Sequence, residues 1–257
     1  MKILAVGDVV GPSGCEFLLR HLRRARQAYG VDLCIVNGEN AARGNGVTAD
    51  SCETLFDAGA DVLTMGNHTY QKREVYDYLD EATRIVRPYN FHPEAPGQGW
   101  TVLICGDVQV MVGSLQGRVY LDTYENPFTA VDRMLSKVDP SVKVRIIDFH
   151  AEATSEKIAM GHYLDGRATL LFGTHTHVQT ADECIFPQGL GYITDLGMTG
   201  PIGSVIGVDP HNVVKKFVTN MPQRFMECKN PVQMSGILAE VDVKLGRTTK
   251  IERVNLK

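Results

Sequence analysis

Two histidines one residue apart, His175 and His177 in "LLFGTHTHVQTAD", close an apolar run late in the chain. Neutral imidazole is a common metal ligand, and in an extended segment alternate side chains share a face, so the pair reads at first as one chelate. A metal site needs further donors, and they recur at matching places. Asp8 in "VGDVVG", Glu39 and Asn40 in "VNGEN", Asn67 and His68 in "MGNHTY" and His150 in "IIDFHAE" each stand just past an apolar run. Open α/β sheets place functional groups at strand C-terminal ends, so the spacing predicts that all of them gather at one end of the molecule.

Singly, each residue has a plainer explanation. Asp8 beside glycine suits a turn or a helix cap, Glu39 and Asn40 suit loop ordering, and His150 suits a hydrogen-bonded core histidine. Jointly, carboxylates, amides and four histidines at successive strand ends are poorly explained as caps, and a metal centre accounts for them. The donors are nitrogen and oxygen with no cysteine, which argues against a closed structural zinc site. An open site for iron, manganese or zinc fits them. About seven donor side chains exceed what one four-coordinate ion uses, whereas two ions sharing a bridging carboxylate use them naturally.

The elements that must position these residues follow one grammar over the first hundred positions: a β-rich run, a polar turn, a helical pattern. "KILAVGDVVG" precedes "PSGCEFLLRHLRRARQAYG", "DLCIVNGEN" precedes "TADSCETLFDAG", and "DVLTMGNH" precedes "QKREVYDYLDEA". This alternation predicts βα units on a largely parallel sheet. In the first helix Ser13 and Glu16 have capping-box spacing, and Leu18, Leu22, Ala25 and Tyr29 form a buried stripe that leaves Arg20, Arg23 and Arg24 on a solvated face. Further strands are expected in "TRIVRPYN", "QVMVGSLQG", "VRIIDFHAE", "ATLLFGTHT", "LGYITDLG" and "SGILAEVDV". The stretch "GMTGPIGSVIGVDP" reads as an irregular glycine-rich loop.

The 257 residues carry 44% hydrophobic and 22% charged side chains, as a soluble globular chain does, and no linker or repeat divides them, so one domain over 1–257 is expected. A net charge of −4 offers no global attraction for RNA or an anionic membrane, so an anionic substrate needs a local positive centre. Cys15, Cys34, Cys52, Cys105, Cys184 and Cys228 form no CxxC pair, which points to free thiols in a reducing compartment. The opening "MKILAVGDVVG" is too short for a membrane span and reads as the first strand of a cytoplasmic protein.

The order GD, GEN, GNH, a lone histidine and His-x-His resembles the calcineurin-like metallophosphoesterases. Four positions depart from that superfamily's usual series: Val10 stands in place of a histidine, Glu39 in place of the bridging aspartate, Thr69 in place of the acidic residue after GNH, and Thr174 precedes the first histidine of the late pair. With "NGENAARGNG", "DFHAEATSEK" and "GTHTHVQTADE", these departures are similar to the YmdB-like branch, metal-dependent phosphodiesterases that act on cyclic nucleotides. The resemblance covers essentially the whole chain. It implies a four-layer α/β/β/α sandwich of two mixed sheets flanked by helices, and a dinuclear centre of divalent or mixed-valence ions, with iron favoured over manganese or zinc.

Carried over position by position, the resemblance assigns Asp8 and His177 to one ion and Asn67, His150 and His175 to the other, with Glu39 bridging. Asn40 then fills the vacancy left by Val10. It further implies attack on the phosphodiester by a hydroxide shared between the ions, with His68 as the general acid for the departing ribose oxygen. Thr69 cannot orient that imidazole as an acidic residue would. The expected substrate is a cyclic nucleotide, 2′,3′-cyclic before 3′,5′-cyclic, and a homo-oligomer is expected. Alternatives on the same framework are a phosphomonoesterase, an RNA nuclease, or a regulator that senses a nucleotide without turning it over.

Overall fold

The computed structural model describes residues 1–257. Its first part realises the βα grammar. β1 (Lys2–Val6) and β2 (Asp8–Val9) lead into α1 (Gly11–Tyr29), β3 (Leu33–Asn37) into α2 (Ala49–Ala58), and β4 (Val62–Thr64) into a 3-10 turn, α3 (Tyr76–Glu81) and β5 (Ile85–Val86). β1, β3, β4 and β5 are parallel neighbours in that order.

The second part begins with the antiparallel pair β6 (Trp100–Cys105) and β7 (Val108–Gln116). It continues through α4 (Pro127–Ser136), β8 (Val144–His150), α5 (Thr154–Leu164), β9 (Leu170–Thr174), β10 (Cys184–Ile185) and β11 (Gly191–Ile193). These strands form a six-stranded mixed sheet ordered β10-β11-β9-β8-β7-β6. The chain then returns to the first sheet with β12 (Met198–Pro201), α6 (Pro210–Thr219), β13 (Val232–Asp242) and β14 (Arg247–Leu256). That sheet has eight strands, β2-β12-β13-β1-β3-β4-β5 with β14 beside β13.

Three separate hydrophobic clusters define the layers. Ile3 and Ala5 of β1 face Val144 and Ile146 of β8 and Leu170 and Phe172 of β9 between the sheets. The alternate residues Leu4 and Val6 pack outward against Leu18 and Leu22 of α1 and Leu55 of α2. On the far side Ile147 and Phe149 of β8 pack against Ala130 and Met134 of α4 and Met160 and Leu164 of α5. The period of two along each strand thus serves two cores at once, which is why these strands read as continuous apolar runs. The fold is the expected four-layer α/β/β/α sandwich. No helix is long and apolar enough to cross a membrane.

Two local expectations are corrected. Ser13 and Glu16 form no capping box: α1 opens earlier, with Val10 as N-cap and Pro12 in the first turn, where proline's missing N–H costs nothing. Ser13 lies inside the helix and donates to Glu227, while Glu16 pairs with Arg20. Leu18, Leu22 and Ala25 are buried as expected, Tyr29 is half-buried, and Arg20, Arg23 and Arg24 are exposed. The glycine-rich stretch after Leu196 is not wholly a loop either. Met198 and Thr199 pair with Asp8 and Val9, and Gly200 and Pro201 pair with Gln233 and Val232, so distant partners turn four of its residues into β12.

Candidate metal centre

The predicted residues meet at one end of the sandwich. Asp8 begins β2, Glu39 and Asn40 follow β3, Asn67 and His68 follow β4, His150 closes β8, and His175 and His177 follow β9. Gly66 is what lets the fourth and third of these segments approach: a Cβ there would lie 2.3 Å from the His150 ring.

The late histidines do not lie on an extended strand. β9 ends at Thr174, and His175 and His177 have φ of +97° and +64°, in the left-handed region that side chains avoid. Simple alternation therefore does not apply, and the two rings go to different neighbours. His175 Nδ1 lies 3.1 Å from His150 Nε2, whereas His177 Nε2 lies 3.7 Å from Asp8 Oδ1.

Each of the three imidazoles commits one nitrogen to an acceptor outside the cluster. His150 Nδ1 is 2.9 Å from Thr174 Oγ1, whose own hydroxyl donates to buried Asp148 Oδ1 at 2.7 Å, so the network assigns the His150 proton to Nδ1. His175 Nε2 is 3.1 Å from Glu152 Oε2, and His177 Nδ1 is 3.1 Å from the carbonyl of Ile206. The opposite nitrogens face inward and carry the lone pairs.

Around those lone pairs stand more acceptors. His150 Nε2 is 2.8 Å from Asn67 Oδ1 and 3.3 Å from Glu39 Oε2, and donor atoms of Glu39, His150 and His175 all lie within 4.8 Å of one another. Asp8 Oδ1 and Asn40 Oδ1 are buried with no hydrogen-bond partner. Asn40 Nδ2 bridges the groups, 2.8 Å from Glu39 Oε1 and 3.4 Å from His177 Nε2. A buried cluster of acceptors with too few protons is costly without a cation. The donor set fits divalent ions.

The electrostatics agree. Burial, with Glu39, Asp195 and Asp148 nearby, pushes the Asp8 carboxyl well above its usual pKa. Burial likewise pushes His150 down to about 3, and lowers His175 and His177, which favours neutral rings. Burial alone would raise Glu39, but its neighbours outweigh it, the hydrogen bonds from His68 among them, and the carboxyl lies at about 2.

His68 stands at the rim. Its N–H donates to Glu39 Oε2 at 3.0 Å and its Nδ1 lies 3.0 Å from Glu39 Oε1, with about a quarter of the side chain exposed. Burial disfavours the charged ring, yet the Glu39 contact outweighs it and the His68 pKa lies above its ordinary value. An orienting carboxylate is therefore present, but it comes from Glu39. Thr69 is buried and turns its hydroxyl to the Gly66 carbonyl.

Sequence reasoning missed a supporting layer: Asn37, Asp148, Glu152, Lys157 and Asp195. Asp148 accepts from Asn37 Nδ2 and from the hydroxyls of Thr64 and Thr174, and burial pushes it up to about 6 despite those bonds. Lys157 and Asp195 form a buried ion pair beside the His175 turn. Asp148 and His150 are two apart on one strand, a spacing that could have exposed their shared face. Nothing local marks Lys157.

The family described as YmdB-like protein matches residues 4–254. The chain is 42% identical over 254 residues to the 2′,3′-cyclic-nucleotide 2′-phosphodiesterase of Bacillus subtilis (strain 168), covering 99% of this chain and 96% of that one. Among solved structures, a phosphatase from Mycoplasma pneumoniae superposes with a TM-score of 0.92 at 36% identity, over 100% of this chain and 93% of that one. The NAD nucleotidase of Haemophilus influenzae shares the fold, with a TM-score of 0.62 at 10% identity, over 99% of this chain and 55% of the other. The chain belongs to the YmdB-like protein family.

Proposed function

We propose that this protein is a metal-dependent phosphodiesterase that hydrolyses cyclic nucleotides, 2′,3′-cyclic ones in preference to 3′,5′-cyclic ones. The observation that carries the reading is the common orientation of His150, His175 and His177. Each turns one nitrogen outward to Thr174, Glu152 or Ile206 and the other into a cluster of unprotonated acceptors. The activity named for the Bacillus subtilis relative supports the substrate class.

In this reading Asp8, Asn40 and His177 would hold one ion and Asn67, His150 and His175 a second, with Glu39 between the two sets. Iron is the favoured metal, with manganese or zinc as substitutes. Bound there, the ions supply neutralisation of phosphoryl oxygens and a lowered pKa for water. The chain itself supplies the proton. Glu39 fixes Nδ1 of His68, which leaves Nε2 at the exposed rim, with the side-chain amide of Asn45 3.5 Å away. From Nε2 a proton passes to the ribose oxygen as its bond to phosphorus breaks, and water supplies the oxygen that phosphorus gains.

The packing of the three cores against shared sheets supports one catalytic domain, and six unpaired cysteines support a reducing, cytoplasmic setting. Phe217 and Val218 on α6, about four-fifths exposed, support self-association.

The test is elemental analysis of freshly purified protein, then turnover on 2′,3′-cyclic nucleotide, 3′,5′-cyclic nucleotide, a phosphomonoester and single-stranded RNA. Bound iron or manganese with fastest turnover of the 2′,3′-cyclic substrate is expected. Absence of metal, with no turnover after either metal is added, rejects the reading. Faster turnover of the monoester makes the protein a phosphatase instead.

A further inference from the structure

A second cleft lies away from the metal centre, at the opposite edge of the six-stranded sheet from β10. It is bounded by β6 and the segment before it on one side and by the end of α4 on the other, and has a volume of about 680 Å³, within the range of small-molecule sites. β6 is separated by β7 from β8, the strand that carries His150, so the cleft is about two strand spacings, roughly 10 Å, aside from that ligand's strand.

The lining is unusual for an acidic protein: three of ten residues are cations and none is a carboxylate. Arg87 is 5% exposed, and its guanidinium donates only to carbonyls, among them those of Pro88 and Ala95. Its charge is thus desolvated but not neutralised, and its field reaches the cleft with little screening. Lys137 is exposed and forms no ion pair, whereas Arg133 pairs both terminal nitrogens with Glu125 and donates through Nε to the Tyr89 hydroxyl at 3.2 Å. Arg133 and Lys137 also lie over the Tyr89 ring, 5.1 and 5.6 Å from its centroid. Burial alone would raise the Tyr89 phenol; these two cations bring it below its ordinary pKa, as expected where the potential is positive. Beside them the half-buried indole of Trp100 completes the wall.

We infer that this cleft binds a nucleoside monophosphate, with the base against Trp100 and the phosphate against Lys137. Cations alone would suit any anion; the aromatic wall adds selectivity for a phosphate that carries a planar ring. The site is separate from the metal centre and does not depend on the reaction proposed there.

Trp100 is the one tryptophan in the chain, so its fluorescence reports on the cleft directly. Titrating the metal-loaded protein with adenosine 5′-monophosphate should give saturable quenching. Adenosine and inorganic phosphate should each bind about tenfold more weakly or worse, and Lys137→Glu should weaken the nucleotide about tenfold or more. Lys137→Glu should leave cyclic-nucleotide turnover unchanged, because Lys137 touches none of the metal-centre residues. No saturable quenching by the nucleotide, or quenching equal in Lys137→Glu, overturns the proposal. Quenching by adenosine as strong as by its monophosphate removes the phosphate contact and also overturns it. Saturation by an oligoribonucleotide alone overturns it in favour of a polynucleotide surface.

Discussion

Lys157 Nζ donates to Asp195 Oδ2 at 2.7 Å and to the Thr174 carbonyl at 2.8 Å, and both charged side chains are 1% exposed. The same Asp195 oxygen accepts from the backbone N–H and the hydroxyl of Thr176. The ion pair therefore grips the chain on both sides of His175, the residue at φ +97°. Such a backbone conformation costs about 1–3 kcal/mol and persists only where its surroundings hold it. Lys157→Met should destabilise the metal-free protein by about 3–5 kcal/mol, because it leaves Asp195 buried and unpaired. In urea denaturation, the double variant Lys157→Met with Asp195→Asn should recover a large part of that loss. An equal loss in the double variant would show that packing, not charge, is what Lys157 contributes.

Thr174 relays Asp148 to His150. Removing its hydroxyl in Thr174→Val leaves His150 Nδ1 without its acceptor, so the ring loses both its tautomer and its orientation. Calorimetric titration with Mn²⁺ should show affinity reduced about 10–100-fold, with Thr174→Ser close to the unaltered protein. Equal affinity in the valine variant would dismiss the relay.

The roles proposed for His68 and Glu39 separate chemistry from metal binding. His68→Ala should keep its metal while turnover falls about 10²–10⁴-fold, the usual range for a lost general acid. Glu39→Ala should lose metal, since Glu39 touches Asn40, His68 and the His150 ring alike. Metal analysis beside kinetics distinguishes the two, and normal turnover in metal-replete His68→Ala would remove His68 from the mechanism.

Asp182 anchors the loop that follows His177. It accepts from the Thr180 hydroxyl at 2.6 Å, from the Thr194 N–H at 3.1 Å, and from the Thr194 hydroxyl. Burial works to raise its pKa, but those bonds prevail and hold it below the ordinary carboxylate range. A folded-state pKa below the unfolded value of about 3.9 contributes stability that is full above about pH 4 and lost as pH falls through the folded value. Asp182→Asn should therefore cost about 1 kcal/mol at pH 7, the carboxylate being largely solvent-screened. Denaturation curves recorded from pH 7 down to pH 3 should show the two proteins converging, and a constant difference would exclude the ionised carboxylate as the source.

Much of this protein can be read before folding is considered. The βα grammar appears in "KILAVGDVVG", "DLCIVNGEN" and "DVLTMGNH" because parallel strands buried on both faces are continuous apolar runs, and such runs end where functional groups are placed. Donor chemistry is likewise a property of residue type, so Asp8, Glu39, Asn67 and the histidines could be singled out. Less legible were β6, β14 and the helices α4 to α6, whose patterns became meaningful only against the surfaces they cover. The amphipathic strand "WTVLIC" at the sheet edge is an example, with Ile104 exposed and Leu103 half-buried.

What the tertiary structure decided is orientation. Which nitrogen of each imidazole faces inward depends on Thr174, Glu152 and Ile206, acceptors 23 to 29 residues away from the histidines they hold. The late pair reaches different neighbours because Lys157 and Asp195, 38 residues apart, clamp a left-handed turn between them. The carboxylate that orients His68 comes from a loop 29 residues earlier, not from the next position. Composition and periodicity are local quantities, and they name the candidate ligands and the strands that carry them. The direction a side chain faces is set by partners that meet only when the two sheets close, so the late histidine pair could be found in the sequence while its geometry could not.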